Sequence, residues 1–120
     1  MILSVNERTF TKEVLESSVP VLVNFWAPWC GLCHLIQPVL SEFHKHGSQH
    51  VKIVGVNADE NFRLSNTYRL TTLPTLILIE KGIVRQRLDR LHSRDELRQI
   101  LKSIQYDYAN SVRLEIGARS

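Results

Sequence analysis

Cysteine is scarce in this sequence: two residues in 120, at positions 30 and 33. A single pair cannot build a disulfide framework, and a chain of this length can bury a core without such staples. Only four prolines and five glycines are present, and they do not cluster. Linkers, low-complexity tracts and repeats are therefore absent, and one domain is expected. No apolar run approaches the length that crosses a bilayer, so no membrane partner is expected. Met1–Val5 lacks the basic start and apolar stretch of an export signal. The expected compartment is therefore cytoplasmic, where a lone cysteine pair does chemistry more often than it staples a fold.

Charge is present but unevenly placed. The net charge is +3, and beyond Lys81 the chain carries Arg85, Arg87, Arg90, Arg94, Arg98, Lys102, Arg113 and Arg119 against five acidic residues. A solvated face with interspersed acids accounts for this, and a docking surface for an acidic partner is the sharper alternative. Nucleic acid is not an expected partner, because no interleaving of basic and aromatic residues accompanies the charge.

The apolar pattern orders the chain. Asn6 is placed as a helix N-cap, with Val5 and Phe10 as a hydrophobic staple, and a first helix is expected to about Ser17. Val19–Trp26 reads as a strand buried on both faces, with Asn24 its one polar interruption. Leu35, Ile36, Val39, Leu40 and Phe43 give a second helix over about 31–46, kinked at Pro38 and ended by Gly47. Val51–Asn57 is a third apolar run, after which Asp59 can cap a short helix over 60–67. Leu73–Glu80 and Ile83–Leu88 flank Lys81-Gly82, the spacing of a two-residue hairpin. Ser93 opens a last helix, with Glu96 at the capping-box position. With Ile2–Val5 as a short strand the order is β-α-β-α-β-α-β-β-α. Such alternation implies an α/β fold, a sheet covered by helices on both faces, parallel where helices intervene and closed by one antiparallel hairpin.

The two cysteines sit where the buried strand hands over to the second helix. Free backbone N–H groups and the helix dipole stabilise a thiolate at that end. Residues three apart on a helical turn also bring their sulfurs within bonding reach. A zinc site would need four ligands, and His44, His46 and His50 lie at the wrong end of the helix or beyond it, so no metal is expected.

Taken together, these residues resemble the thioredoxin family over about residues 1–105. The resemblance is carried by Phe25-Trp26-Ala27-Pro28-Trp29-Cys30-Gly31-Leu32-Cys33, by Pro38, by Asn57-Ala58-Asp59, by Leu73-Pro74-Thr75 and by Gly82. It implies the thioredoxin fold, with a central mixed sheet of about five strands. It also implies a protein-disulfide oxidoreductase that needs no cofactor beyond its own cysteines. Cys30 would be the attacking nucleophile and Cys33 the resolving thiol. Pro74 would follow a cis peptide and face the disulfide. Trp29 would cover the sulfurs and Trp26 would pack under the site, although both also fit as plain core aromatics. Substrate would meet Trp29, Leu73, Pro74 and residue 90. Disulfide-containing proteins are the implied substrates, and a thioredoxin reductase is an implied partner.

Four departures from the family pattern bear on the site. Leu32 stands where proline is usual, and adds a backbone N–H beside the Cys30 sulfur. Asn24 replaces a buried aspartate, and an amide cannot take a proton from Cys33. Gly55 replaces the lysine that partners that aspartate, so both charges are lost together. Arg90, within Asp89-Arg90-Leu91, replaces a glycine of the substrate-facing loop. The added donor at Leu32 and the carboxylate lost at Asn24 would both stabilise the Cys30 thiolate and so imply a more oxidising pair. An oxidant or isomerase is the alternative enzyme this suggests. His34 follows Cys33; its protonated form would lower the thiol pKa, and an exposed, solvated histidine is the plain alternative. Residues 106–120 lie past the usual domain end, where Tyr108 and Val112 continue the apolar stripe. They form either a continued helix or a disordered tail, and offer a surface for self-association or a partner. A binding module that presents Arg90 or this tail is the non-enzymatic alternative.

Overall fold

The computed structural model describes residues 2–46 and 50–119, with side chains as far as Ala109. Five strands form one sheet: β1 (Leu3–Ser4), β2 (Val21–Trp26), β3 (Lys52–Asn57), β4 (Thr75–Glu80) and β5 (Ile83–Leu88). Their spatial order is β1-β3-β2-β4-β5, with β1, β3 and β2 parallel and both β2/β4 and β4/β5 antiparallel. Three α-helices accompany them: α1 (Gly31–His46), α2 (Phe62–Thr67) and α3 (Arg94–Arg119). The expected mixed five-stranded α/β sheet is present. The rule that helices impose parallel pairing fails at β4, however, for a reason of length. A six-residue helix spans about 9 Å, against about 20 Å for a six-residue strand. Thus α2 cannot carry the chain back across the sheet, and β4 starts at the end where β3 stopped.

Period-two alternation in the central strands separates two cores. Leu22, Ile53, Leu76 and Leu78 face α1 and α3, meeting Ile36, Leu40, Phe43, Leu97, Leu101 and Ile104. Val21, Val23, Phe25, Val54, Val56, Ile77 and Ile79 face the other way, against Val5, Phe10, Val14 and Leu64. Each fully buried aliphatic side chain contributes about 1.5–3 kcal/mol. The same alternation turns Asn24 toward α1, and the register sets it directly opposite Gly55.

Three local expectations shift. Asn6 does cap the first turn, its Oδ1 accepting the Arg8 and Thr9 N–H groups at 2.8 and 3.1 Å. The segment Thr11–Leu15 is then π-helical, with the Glu16 N–H donating to Thr11 O. Phe10 and Val14 are buried in the second core and Leu15 packs against it, so the wide turn serves the core. After β3 the cap is Asn57, whose Oδ1 accepts the Asp59 N–H at 3.0 Å. A 3₁₀ turn (Ala58–Glu60) follows, and α2 starts only at Phe62. Asp59 is thereby freed for another partner. Gly47, the expected end of α1, lies outside the described residues.

The hairpin follows its turn chemistry. Lys81 and Gly82 have φ of 51° and 79°, the pair of positive values that a type I′ turn requires. A bulge between the pairs Leu78–Gln86 and Ile79–Val84 leaves Arg85 as the extra residue of β5. Ser93 Oγ accepts the Glu96 N–H at 3.1 Å at the start of α3. That helix begins at the site end of the sheet and continues through the 106–119 region as helix.

Candidate active site

Beyond Trp26 the chain turns at Ala27–Cys30, where the Cys30 N–H donates to Ala27 O at 3.1 Å. Cys30 and Cys33 are joined as a disulfide across the first turn of α1, with Cα atoms 5.2 Å apart. Both are buried, at 6% and 3% exposure. The donor recorded at the Cys30 sulfur is the Cys33 N–H, at 3.1 Å, rather than the Leu32 N–H anticipated from sequence. Leu32 instead packs its side chain against the α1/α3 core. A Cβ at Gly31 would meet nothing within 4 Å. Glycine there leaves the approach to the sulfurs bare and relieves no clash.

Trp29 is 70% exposed, and its Nε1–H donates to Asp59 Oδ2 at 2.9 Å. It is therefore an anchored surface ring and no core aromatic. Trp26 lies against Gly55: a Cβ there would stand 3.5 Å from the Trp26 Nε1. Asn24 is 3% exposed, and its Oδ1 has no hydrogen-bond partner among the described residues. Asn24, Gly55, Trp26 and Cys33 line one cavity of about 290 Å³. The two departures from the family's charged pair are thus neighbours in space, in the cavity that Cys33 lines. His34 Nε2 lies 2.7 Å from Pro28 O. A carbonyl only accepts, so this nitrogen carries the proton.

The Leu73–Pro74 peptide is cis. Pro74 is buried at the start of β4, and Thr75 pairs with Phe25, at the end of the sheet from which the cysteines depart. A clamp that sequence reasoning missed holds this loop. Arg87 Nε donates to both Asp89 oxygens at 2.8 and 2.9 Å. Its Nη1 reaches Tyr68 O, and its Nη2 donates to Arg69 O at 2.9 Å. Thr75 Oγ1 donates to Thr72 O at 2.7 Å and reaches Asp89 Oδ1 at 3.5 Å. Arg90 is exposed just beyond this clamp. The signal available in sequence was Arg-x-Asp, with Arg87 near the end of β5 and Asp89 just past it. Asp59 was visible too, but was assigned to a cap.

Among the described residues, no group of three His, Cys, Asp or Glu is placed to hold a metal, and no helix is long and apolar enough to cross a membrane. Comparison with known proteins adds the decisive observation: the family model described as Thioredoxin matches residues 1–103. The chain belongs to the thioredoxin family. It is 48% identical over 86 residues to thioredoxin 1 of Synechococcus elongatus, covering 72% of this chain and 78% of that protein. To thioredoxin 1 of a Nostoc species it is 45% identical over 78 residues, covering 65% and 73%. To the chloroplastic M-type thioredoxin of Chlamydomonas reinhardtii it is 44% identical over 79 residues, covering 66% and 56%. With the Cys30–Cys33 disulfide in place, the chain is a thiol–disulfide oxidoreductase of thioredoxin type. The thioredoxin family acts on disulfide-containing proteins and is served by thioredoxin reductase.

Proposed function

We propose that this thioredoxin exchanges disulfides with Cys30 as nucleophile and Cys33 as resolving thiol, at a potential more oxidising than an ordinary member's. The reading rests most on Asn24, neutral and buried opposite Gly55 in the cavity that Cys33 lines. A carboxylate there would oppose a thiolate; an amide does not. The reduced form is then relatively more stable. Each tenfold preference for the dithiol raises the potential by about 30 mV. An oxidant or isomerase role is the second reading that this poise favours.

Substrate proteins would dock along Trp29, Leu73, Pro74 and Arg90. Trp29 offers an exposed ring, and Arg90 a long cation where a bare backbone is usual. Acidic segments near the target disulfide suit that surface. The proposed compartment is cytoplasmic, with electrons passed on from a reductase of either the nicotinamide- or ferredoxin-linked class. Residues 1–105 would carry the exchange, and residues 106–120 would form an extension through which copies of the chain associate.

Trapping tests the roles. Cys33→Ser is expected to accumulate mixed disulfides through Cys30, and Cys30→Ser to accumulate none. Partner capture that persists with both cysteines replaced would support the binding module and overturn the enzyme reading. Asn24→Asp is expected to speed release from the mixed disulfide, because a carboxylate, unlike the amide, can take the Cys33 proton directly; slower or unchanged release contradicts that argument.

A further inference from the structure

The cavity beside Cys33 has a second occupant-facing feature. Its lining comprises Asn24 and Trp26 from β2, Gly55 from β3, Ile2–Ser4 at β1, and Cys33, His34 and Gln37 from α1. Its volume of about 290 Å³ compares with about 30 Å³ for one water. The buried, unpartnered Asn24 Oδ1 gives such water an acceptor, and Ser4 and Gln37 give it further polar neighbours. Among the described residues, Cys33 and His34 are the only titratable ones in the lining, and no Asp, Glu, Lys or Arg belongs to it. The ring's one recorded hydrogen bond, Nε2–H to Pro28 O, leaves Nδ1 as its acceptor in the neutral form.

We propose that His34, through water in this cavity, is the proton acceptor for the Cys33 thiol, and that Asn24 positions the water. The inference rests on the reading of Cys33 as the resolving thiol. Adjacent residues on a helix do not face each other, so direct contact is not required; the shared cavity connects them. In the step, the Cys33 S–H proton passes by water to His34 Nδ1. The Cys33 thiolate attacks the Cys30 sulfur, the Cys30–Cys33 bond forms, and the Cys30–substrate S–S bond breaks. The substrate leaves as a thiolate holding the bond's electron pair, and the imidazolium returns a proton to it or to solvent. Two electrons move from the dithiol to the substrate, so charge and atoms balance.

The test uses the full reduced chain and a symmetrical nitrobenzoate disulfide, whose thiol is coloured when released. The first release reads attack by Cys30, on which the proposed function rests. The second, independent of reagent concentration, reads resolution by Cys33. His34→Gln retains an amide donor for Pro28 O but has no base. It is expected to leave the first release unchanged and to slow the second roughly ten- to a hundredfold. Added free imidazole should restore the rate of the second release. A second release that is unchanged, slowed only in step with the first, or slowed without rescue by imidazole overturns the proposal. Absence of the first release in the wild-type chain would instead overturn the roles assigned to the cysteines.

Discussion

At the scale of single residues, Asp59 shows how one side chain can be misread and still matter. Its position after β3 suggested a cap, but Asn57 takes that duty and Asp59 holds the Trp29 indole. The bond is between exposed groups, so it contributes little to folding but fixes the exposed ring of the residue next to Cys30. One hydrogen bond is worth about 0.5–1.5 kcal/mol net. Asp59→Ala is therefore expected to lower the rate with a protein disulfide about two- to tenfold and to leave the thermal midpoint nearly unchanged. Rates with a small disulfide should not change, because no large surface docks on Trp29. Equal losses with both substrates would show that Asp59 acts on the thiols themselves. The thiol pair, Trp26, Asn24 and Gly55 were all legible in the sequence, since each occupies a position of a recognisable block. Asp59, Arg87 and Asp89 were not, because their bonds join residues 18 to 30 positions apart or lie at a strand that reads as an ordinary exposed edge.

Among the elements, β5 carries more than its exposed pattern suggests. Arg87 ties it to the end of α2 at Tyr68 and Arg69, and to Asp89 beside the Pro74 loop. Only a guanidinium fork can serve these acceptors together. Arg87→Ala is expected to cost about 2–3 kcal/mol, read as a lower urea midpoint at constant m-value, and Arg87→Lys to recover little of it. A lysine variant as stable as the wild type would reduce the clamp to a simple charge. A second tie joins the first helical turn to β3: Lys52 Nζ donates to Glu13 Oε2 at 2.7 Å. That bond, and next the lysine's charge, hold the Glu13 carboxyl below its usual 4.5. A depressed folded-state pKa gives stability that is present above the unfolded value and lost as pH falls through the folded one. The stability difference between wild type and Glu13→Gln should thus be present at neutral pH and vanish in acid; a difference that grows in acid contradicts the linkage. The elements themselves were largely readable, α1 and β5 to the residue. The direction of β4 was not, because pairing depends on how far α2 can carry the chain, and periodicity does not report that distance.

Across the whole molecule, the two ends of the sheet have separate tasks. The cysteines, the cis Leu73–Pro74 peptide and Arg90 gather at the end where β2 and β3 finish and β4 begins. The last helix starts at that end, and its Tyr108 reaches a cleft with Leu78, Glu80, Arg85 and Gln86, toward the far side of the sheet. The extension is thus carried away from the disulfide. Truncation after Gln105 is expected to keep disulfide exchange intact and to cost about 1–2 kcal/mol through the loss of Tyr108 packing. If the extension mediates self-association, the truncated chain sediments as a monomer where the full chain does not. Lost exchange activity in the truncated, folded protein would contradict this separation.

The central claim concerns poise, and the reduction potential of the Cys30–Cys33 pair tests it most directly. Equilibration against graded glutathione buffers, read by the fraction of disulfide, gives the value. The neutral pair Asn24 and Gly55 in the cavity that Cys33 lines predicts a potential above the roughly −270 mV of thioredoxin, toward the glutaredoxin range of about −200 to −230 mV, with Asn24→Asp shifting it downward. A potential at or below about −270 mV, or one indifferent to Asn24→Asp, would contradict the account.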